Sequence, residues 1–400
     1  IPTSNFPGPS GTQYPSGVFT QTSAASTGAA GALTIEAQQL TVQNQGAIAA
    51  TTFGTQSAGN ITIRGNSDPA SLANQVTLDN GSILSGVAPG ASGNSGVITA
   101  QTRSLTVTNG GVIQSQTLGQ GTAGEIRVIA PDAVTLTGVN PQTGIVSGFR
   151  SGSGVNSGAG GNISVTTGNF QITNQATLDA QTQSSNPGGN IIVNAGQFTA
   201  SSGGKLITAT SGAGKAGDII LNVGDRVTLS DSTTGLFANT NANSSGSGGN
   251  IFVSKPNVLT IEDGASIEVG SLGSGAGGDI QIQANRFNLK NRARLSAETA
   301  STQGGNITIT TDGVLTLRNN SRISTNAGTA QAGGDGGNIT ITAPFIIGVL
   351  GENSDITANA FTGKGGNIFI TTNAIYGLLS QPRLTPFSDI TASSQLGING

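Results

Sequence analysis

The chain has 400 residues, a formal net charge of −3 and only 9% charged side chains, so no broad field draws it to nucleic acid or an anionic membrane. It has no Cys or His, which excludes disulfides, thiol nucleophiles and His-based triads. Its densest apolar run, 344–350, is too short to span a bilayer. No signal peptide is visible, and a chain that starts at Ile1 and lacks Met reads as a processed piece or a cut-out of a longer polypeptide.

A composition with 63 glycines suggests disorder by itself, but the Ile, Val and Leu residues fall at regular positions, and a linker has no reason for that. Residues 1–30 read as irregular, because Pro2, Pro7, Pro9 and Pro15 interrupt any ladder. Within them Gly17-Val18-Phe19-Thr20 has the pattern of the last strand of a preceding coil. From Gly31 onward one unit repeats, anchored at Gly31, Gly59, Gly96, Gly124, Gly161, Gly189, Gly217, Gly249, Gly278, Gly305, Gly337 and Gly366. The shortest spacings are 27 and 28 residues and the longest are 37. A fixed unit with insertions is what a solenoid tolerates, since extra residues leave as loops without disturbing the stack. Residues 31–400 are therefore expected to form a single solenoid that continues from a longer chain.

Each unit carries three apolar signals with period-two spacing, in which one face is buried and the other wet. The anchor strand gives pairs such as Ile307/Ile309. A second strand gives pairs such as Leu40/Val42, Val134/Leu136 and Leu315/Leu317. The third ends in one apolar residue: Ile48, Ile83, Ile113, Ile145, Leu178, Leu206, Leu236, Ile267, Leu295, Ile323, Ile356 and Ile390. No stretch has the period of an amphipathic helix. The expected fold is all-β: a parallel β-helix of about 12 coils of about 28 residues, three strands per coil. It is expected to be right-handed by analogy with crossover connections.

Two polar columns mark the corners. Asn follows the anchor Gly at Asn60, Asn162, Asn190, Asn250, Asn306, Asn338 and Asn367, with Glu125, Asp218 and Asp279 in the same place elsewhere. Stacked amides at this position read as a structural Asn ladder. Asn44, Asn80, Asn109, Asn174, Asp231, Asp263, Asn291 and Asn319 sit two residues past the second strand, where a left-handed corner suits Asn and Asp. The anchor Gly itself is expected to supply positive φ.

Candidate sites are few. Aligning second strands sets Lys290 beside Arg318 and Arg294 beside Arg322, a candidate patch for acidic glycans. Glu262 and Asp355 fall on neighbouring coils, so a mixed-charge ladder on a solvated face explains the same residues. Glu262-Asp263 is the closest pair of carboxylates, but strand neighbours point to opposite faces. The segment Gly333-Gly334-Asp335-Gly336-Gly337-Asn338 is one partial copy of a calcium-binding nonapeptide, short of the ligands calcium wants. Thr41, Thr77, Thr106, Thr135, Thr199, Thr228, Thr260 and Thr316 make an outward Thr column, a form that can bind ice and that strand propensity also explains. No catalytic residue, metal site or cofactor is read from the sequence. The insertions at 67–75, 87–95, 137–159 and 240–248 are candidate binding loops.

The unit Gly305-Asn306-Ile307-Thr308-Ile309, then Leu315-Thr316-Leu317, then Ser321-Arg322-Ile323-Ser324, resembles large filamentous haemagglutinin-like exoproteins of cyanobacteria. Ser388-Asp389-Ile390-Thr391-Ala392-Ser393-Ser394 is similar to the end of the solenoid in those proteins. The resemblance implies a right-handed β-helix, secretion through an outer-membrane partner transporter (two-partner secretion), and an adhesive role at the surface of a Gram-negative bacterium. The expected function is thus an extracellular shaft of a surface filament or adhesin, in contact with surface glycans or a substratum. The alternatives are a polysaccharide-binding or polysaccharide-degrading β-helix and, behind it, an ice-binding solenoid. Gly400 stands where a next anchor is due, so both ends are expected to be open to end-to-end or lateral self-association.

Overall fold

A computed structural model describes residues 16–397. The prolines at 2, 7, 9 and 15 and the anchor position Gly400 lie outside the described residues. The chain is an all-β parallel solenoid of about 12 turns of about 29 residues. Among the described residues there is no α-helix, and a single 3-10 turn spans Leu350–Glu352. The chain divides into two compact units, 1–195 and 196–400.

In the first unit the third strands stack in parallel, from Gly17–Gln21 through Ala47–Thr52, Ser82–Val87, Val112–Gln114 and Gly148–Arg150 to Thr177–Asp179. In the second unit the same sheet runs from Lys205–Ile207 through Gly235–Phe237, Ser266–Glu268, Arg294–Ser296, Arg322–Ser324 and Asp355–Thr357 to Asp389–Thr391. First and second strands stay separate in the Gly31 and Gly59 coils, as in Leu33–Glu36 and Gln39–Gln43. In the next five coils the two run on without a break, as Ile98–Thr108, Ile126–Thr137, Ile163–Thr173, Ile191–Ala200 and Ile219–Ser230. The corner is short enough for the ladder to continue around it, with a register shift between Ala130 and Ala133 absorbing Pro131.

The core follows the alternation. In the Gly305 coil Ile307, Ile309, Leu315, Leu317 and Ile323 are all fully buried, each contributing about 1.5–3 kcal/mol by burial. One third-strand residue differs from expectation. In the Gly124 coil Phe149, not Ile145, enters the core, and Ile145 belongs to the inserted loop before it. A buried column of Ser and Thr lies inside the turn after the third strand. Ser153 and Thr182 share a hydroxyl hydrogen bond of 2.9 Å, as Thr240 and Ser271 do at 2.8 Å.

The anchor glycines correct a second expectation. None of the anchor positions has positive φ. Their constraint is close approach of backbone to backbone. A Cβ on Gly59, Gly96, Gly124 or Gly161 would lie 2.0–2.3 Å from the carbonyl oxygen of the anchor one coil earlier. On Gly278, Gly305 and Gly337 the same clash is 1.8–1.9 Å. The approach is held by hydrogen bonds within each coil. The Gly305 N–H donates to Ala297 O at 2.9 Å, and Gly337 N–H to Thr325 O at 2.8 Å. The Gly337 carbonyl then accepts the buried Thr325 hydroxyl at 2.9 Å. At the second corner Asn44, Asn80, Asn109, Asn174, Asp263, Asn291 and Asn319 have φ of 51–57°, and Asp231 has 79°. The left-handed turn falls on the Asn/Asp column, where the side chain tolerates it.

Two substitutions separate these effects. Gly305→Val should cost about 3 kcal/mol or more, or prevent folding, because backbone rather than a movable side chain fills the space. Gly224→Ala, with nothing within 4 Å, should leave stability unchanged or slightly raised. Chemical denaturation of both variants checks the pair.

Candidate functional site

The Asn ladder forms, but its main bond runs from side chain to backbone. Asn60 Oδ1 accepts Val97 N–H at 2.8 Å, and Asn162 Oδ1 accepts Asn190 N–H at 2.9 Å. In the second unit the chain of bonds is continuous. Asp218 accepts from Asn250 N–H, Asn250 from Asp279, Asp279 from Asn306, Asn306 from Asn338 and Asn338 from Asn367, all at 2.8–3.2 Å. The amide groups of Asn306, Asn338 and Asn367 add side-chain bonds of 3.0–3.2 Å. These oxygens satisfy the backbone donor of the next coil at the corner, so the column is structural.

The basic residues come together in the register expected. Lys290 lies opposite Arg318, and Arg294 opposite Arg322. Carboxylates from adjacent coils meet most of them. Lys290 pairs with Glu262 at 2.7 Å, and Arg318 grips Glu352 through two bonds of 2.6 and 2.7 Å. Arg322 reaches Asp355 at 3.4 Å. Among the described residues Arg294 alone of the four has no ion pair. The hydrogen bonds from Arg318 hold the Glu352 carboxyl below its ordinary range. Burial pushes Asp355 up, and its Oδ1 accepts the Asp389 N–H at 3.1 Å. A ladder with this much internal pairing presents little net charge to an acidic glycan.

The other readings from sequence separate in space or in role. Glu262 is used by Lys290, while Asp263 accepts Asn291 Nδ2 at 2.9 Å in its left-handed corner. Asp335 Oδ1 accepts Lys364 N–H at 2.8 Å, and the described residues hold no group of three or more acidic side chains suited to a metal. The Thr column is continuous through Thr41, Thr77, Thr106 and Thr135, then breaks at Gln171. In the second unit Thr228 and Thr260 are followed by Asn288 before Thr316. The first part of the 67–75 insertion is a local turn in which Asp68 Oδ1 accepts Ala70 N–H at 2.8 Å, and its last three residues open the strand Ala73–Asp79.

A site the sequence reading missed lies beside the 138–147 insertion, on the outer face of the third sheet in the first unit. The insertion is folded by its own chemistry. Gly138 and Gly144 have positive φ, Val139 and Val146 form an antiparallel bridge, and Asn140 Oδ1 accepts Gln142 and Thr143 N–H groups at 2.9 Å. Ile145 and Phe19 pack onto Ala49, Leu84 and Val112, an apolar cluster distinct from the alternating strand core. Next to it a polar cleft of about 260 Å³ is lined by Gln116, Arg150, Gly152, Ser153, Asp179, Gln181 and Gln183. Gly152 lies in its wall with no room for a side chain, since a Cβ there would meet the Gln181 carbonyl oxygen at 2.8 Å.

The cleft holds a half-buried charged pair. Arg150 and Asp179 are register partners on adjacent coils, yet no ion pair joins them among the described residues. Arg150 Nη2 donates to Val146 O at 2.7 Å, tying the cleft to the insertion. Asp179 Oδ1 accepts Gln181 N–H at 3.1 Å. Burial pushes the Asp179 carboxyl above its ordinary value, and bonds from Gln181 with the charge of Arg150 only partly offset this. Burial likewise lowers Arg150, with Asp179 opposing. Gln116 is nearly buried and accepts Gln114 Nε2 at 2.6 Å. One signal pointed here: the long Gly124 interval. Placing the third strand at Ile145 rather than Phe149 set Arg150 out of register with Asp179 and hid the pair.

No family model, curated protein or solved structure matches the chain.

The two carboxylates predict opposite pH effects. The folded chain holds the Asp179 proton where the unfolded chain has lost it, so this group's contribution falls as pH rises through the carboxylate range. Asp179→Asn should raise Tm at neutral pH and remove that slope. Glu352 works the other way: its pairing is present above the carboxylate range and fades as pH falls through it. Arg318→Gln should cost at most about 1 kcal/mol near neutrality and nothing in acid. Thermal unfolding against pH reads both.

Proposed function

We propose that the chain is a structural and adhesive element of an extracellular surface filament or adhesin. It sits on the outside of a Gram-negative cell and reaches there through an outer-membrane partner transporter, as the resemblance of its repeat implies. The observation that carries the reading is the coil-to-coil pairing of outward polar groups. Lys290, Arg318 and Arg322 are matched by carboxylates, and the amides of Asn306 and Asn338 are tied to the next coil. The outer face is thereby a repetitive, nearly neutral array of amides and hydroxyls. Such a face makes weak contacts many times over rather than one strong contact, and avidity multiplies them.

A polysaccharide-directed activity is the second reading, and the cleft beside the insertion favours its binding form. Hydrolysis by paired carboxylates needs a second acid across the scissile bond, and the cleft lining contains Asp179 alone. The interruption of the Thr column at Gln171 and Asn288 weighs against ice binding.

Beads carrying the full chain test the proposal. Their retention on polysaccharide-coated surfaces or cells should rise steeply with the density of chain on the bead, with no reducing ends released. Retention equal to bare beads at every density refutes adhesion; release of reducing ends supports the enzyme instead.

A further inference from the structure

We propose that the cleft around Arg150 and Asp179, beside the 138–147 insertion, is a subsite for one unit of a neutral, hydroxyl-rich saccharide. The assignment rests on the adhesive reading and names where a ligand is gripped and of what class it is.

The donor and acceptor pattern selects the ligand. Gln116 spends its carbonyl oxygen on Gln114, which leaves its amide N–H groups for a ligand. Asp179 accepts the Gln181 N–H at Oδ1, with the Gln181 side chain also bonding the carboxylate, whose four lone pairs still leave acceptor capacity for a hydroxyl. Arg150 spends Nη2 on Val146 and keeps its other N–H groups. A sugar hydroxyl both donates and accepts, and a vicinal pair of hydroxyls suits a carboxylate and a guanidinium side by side. The charges cancel within the cleft. A uronate or sulfate would face Asp179, and a cationic ligand would face Arg150. Both groups are half-buried, so a bond to the ligand is worth more than at a fully open surface.

Size and lining set the strength. A cleft of about 260 Å³ lies just under the range for drug-sized ligands and matches a single sugar ring. None of the lining residues is aromatic, and Phe149 points into the core with no exposed surface. The subsite therefore lacks a stacking platform, and its affinity for a single chain end is weak, about millimolar. That weakness fits a contact made many times by neighbouring molecules rather than once.

Ligand-observed NMR with the full chain tests the assignment, using short neutral gluco-, manno- and galacto-oligosaccharides and a uronic-acid oligosaccharide as probes. At least one neutral probe should bind, and the uronic-acid probe should not compete. Asp179→Ala and Gln116→Ala should each weaken binding about tenfold or more, as loss of a charged or buried bond implies, while Gly224→Ala leaves it unchanged. If Asp179→Ala does not fold, Gln116→Ala reads the same subsite from outside the strand. The proposal falls if the parent chain binds no neutral probe, if both variants bind like the parent, or if the uronic-acid probe is preferred. Bead retention separates the two levels. Retention without neutral-probe binding removes the subsite and leaves the adhesive reading; no retention removes the adhesive reading itself.

Discussion

The close approach of one coil's backbone to the next at the anchor glycine is the constraint on which the rest depends. The carbonyl oxygen of Gly278 occupies the place where a side chain on Gly305 would begin, and Gly305 stands in the same relation to Gly337. With the anchors this close, the strands that follow reach ladder spacing without adjustment, and Ile307 stacks on Ile280 and Ile339. The core is then assembled by repetition. Each coil adds its apolar residues to a column already formed, and stability accumulates between neighbours.

The polar groups obey the same repetition. A buried donor or acceptor has to be paired, and here the partner is one coil away. The Asn306 oxygen meets the backbone N–H of Asn338, the Ser153 hydroxyl meets that of Thr182, and Arg318 meets Glu352. The stack thus consumes most of the chemistry the sequence offers. What remains for a ligand is found where the repeat is broken. The 138–147 insertion covers an apolar face with Ile145, and beside it Arg150 and Asp179 line a cleft without closing on each other.

Much of the fold was legible in the sequence because a solenoid has a period. Ile307/Ile309 and Leu315/Leu317 announce buried faces, and the Asn319 column announces a left-handed corner. The less legible features have specific causes. Glycine serves two purposes, positive φ and close approach, and the letter alone does not say which. Ala100 to Leu105 contains no residue that breaks a strand, so the fusion of two strands into Ile98–Thr108 depends on neighbouring ladders. Ile145 and Phe149 both fit an apolar slot, and the choice is made by the insertion's antiparallel bridge. The Asn ladder was legible as a column but not as a bond to the next backbone. The cleft was hidden because it depends on that same register. The basic patch was visible with Glu262 and Asp355 beside it, whereas Glu352 was hidden because it sits in the 3-10 turn Leu350–Glu352, outside the strand pattern.

Amide hydrogen exchange tests the central claim most directly. If close packing of anchor glycines holds the coils, the N–H of Gly305 and of Gly337 exchange only with cooperative opening of their unit, as slowly as the core amide of Ile309. Exchange at Gly305 and Gly337 as fast as at an unprotected amide would contradict the account.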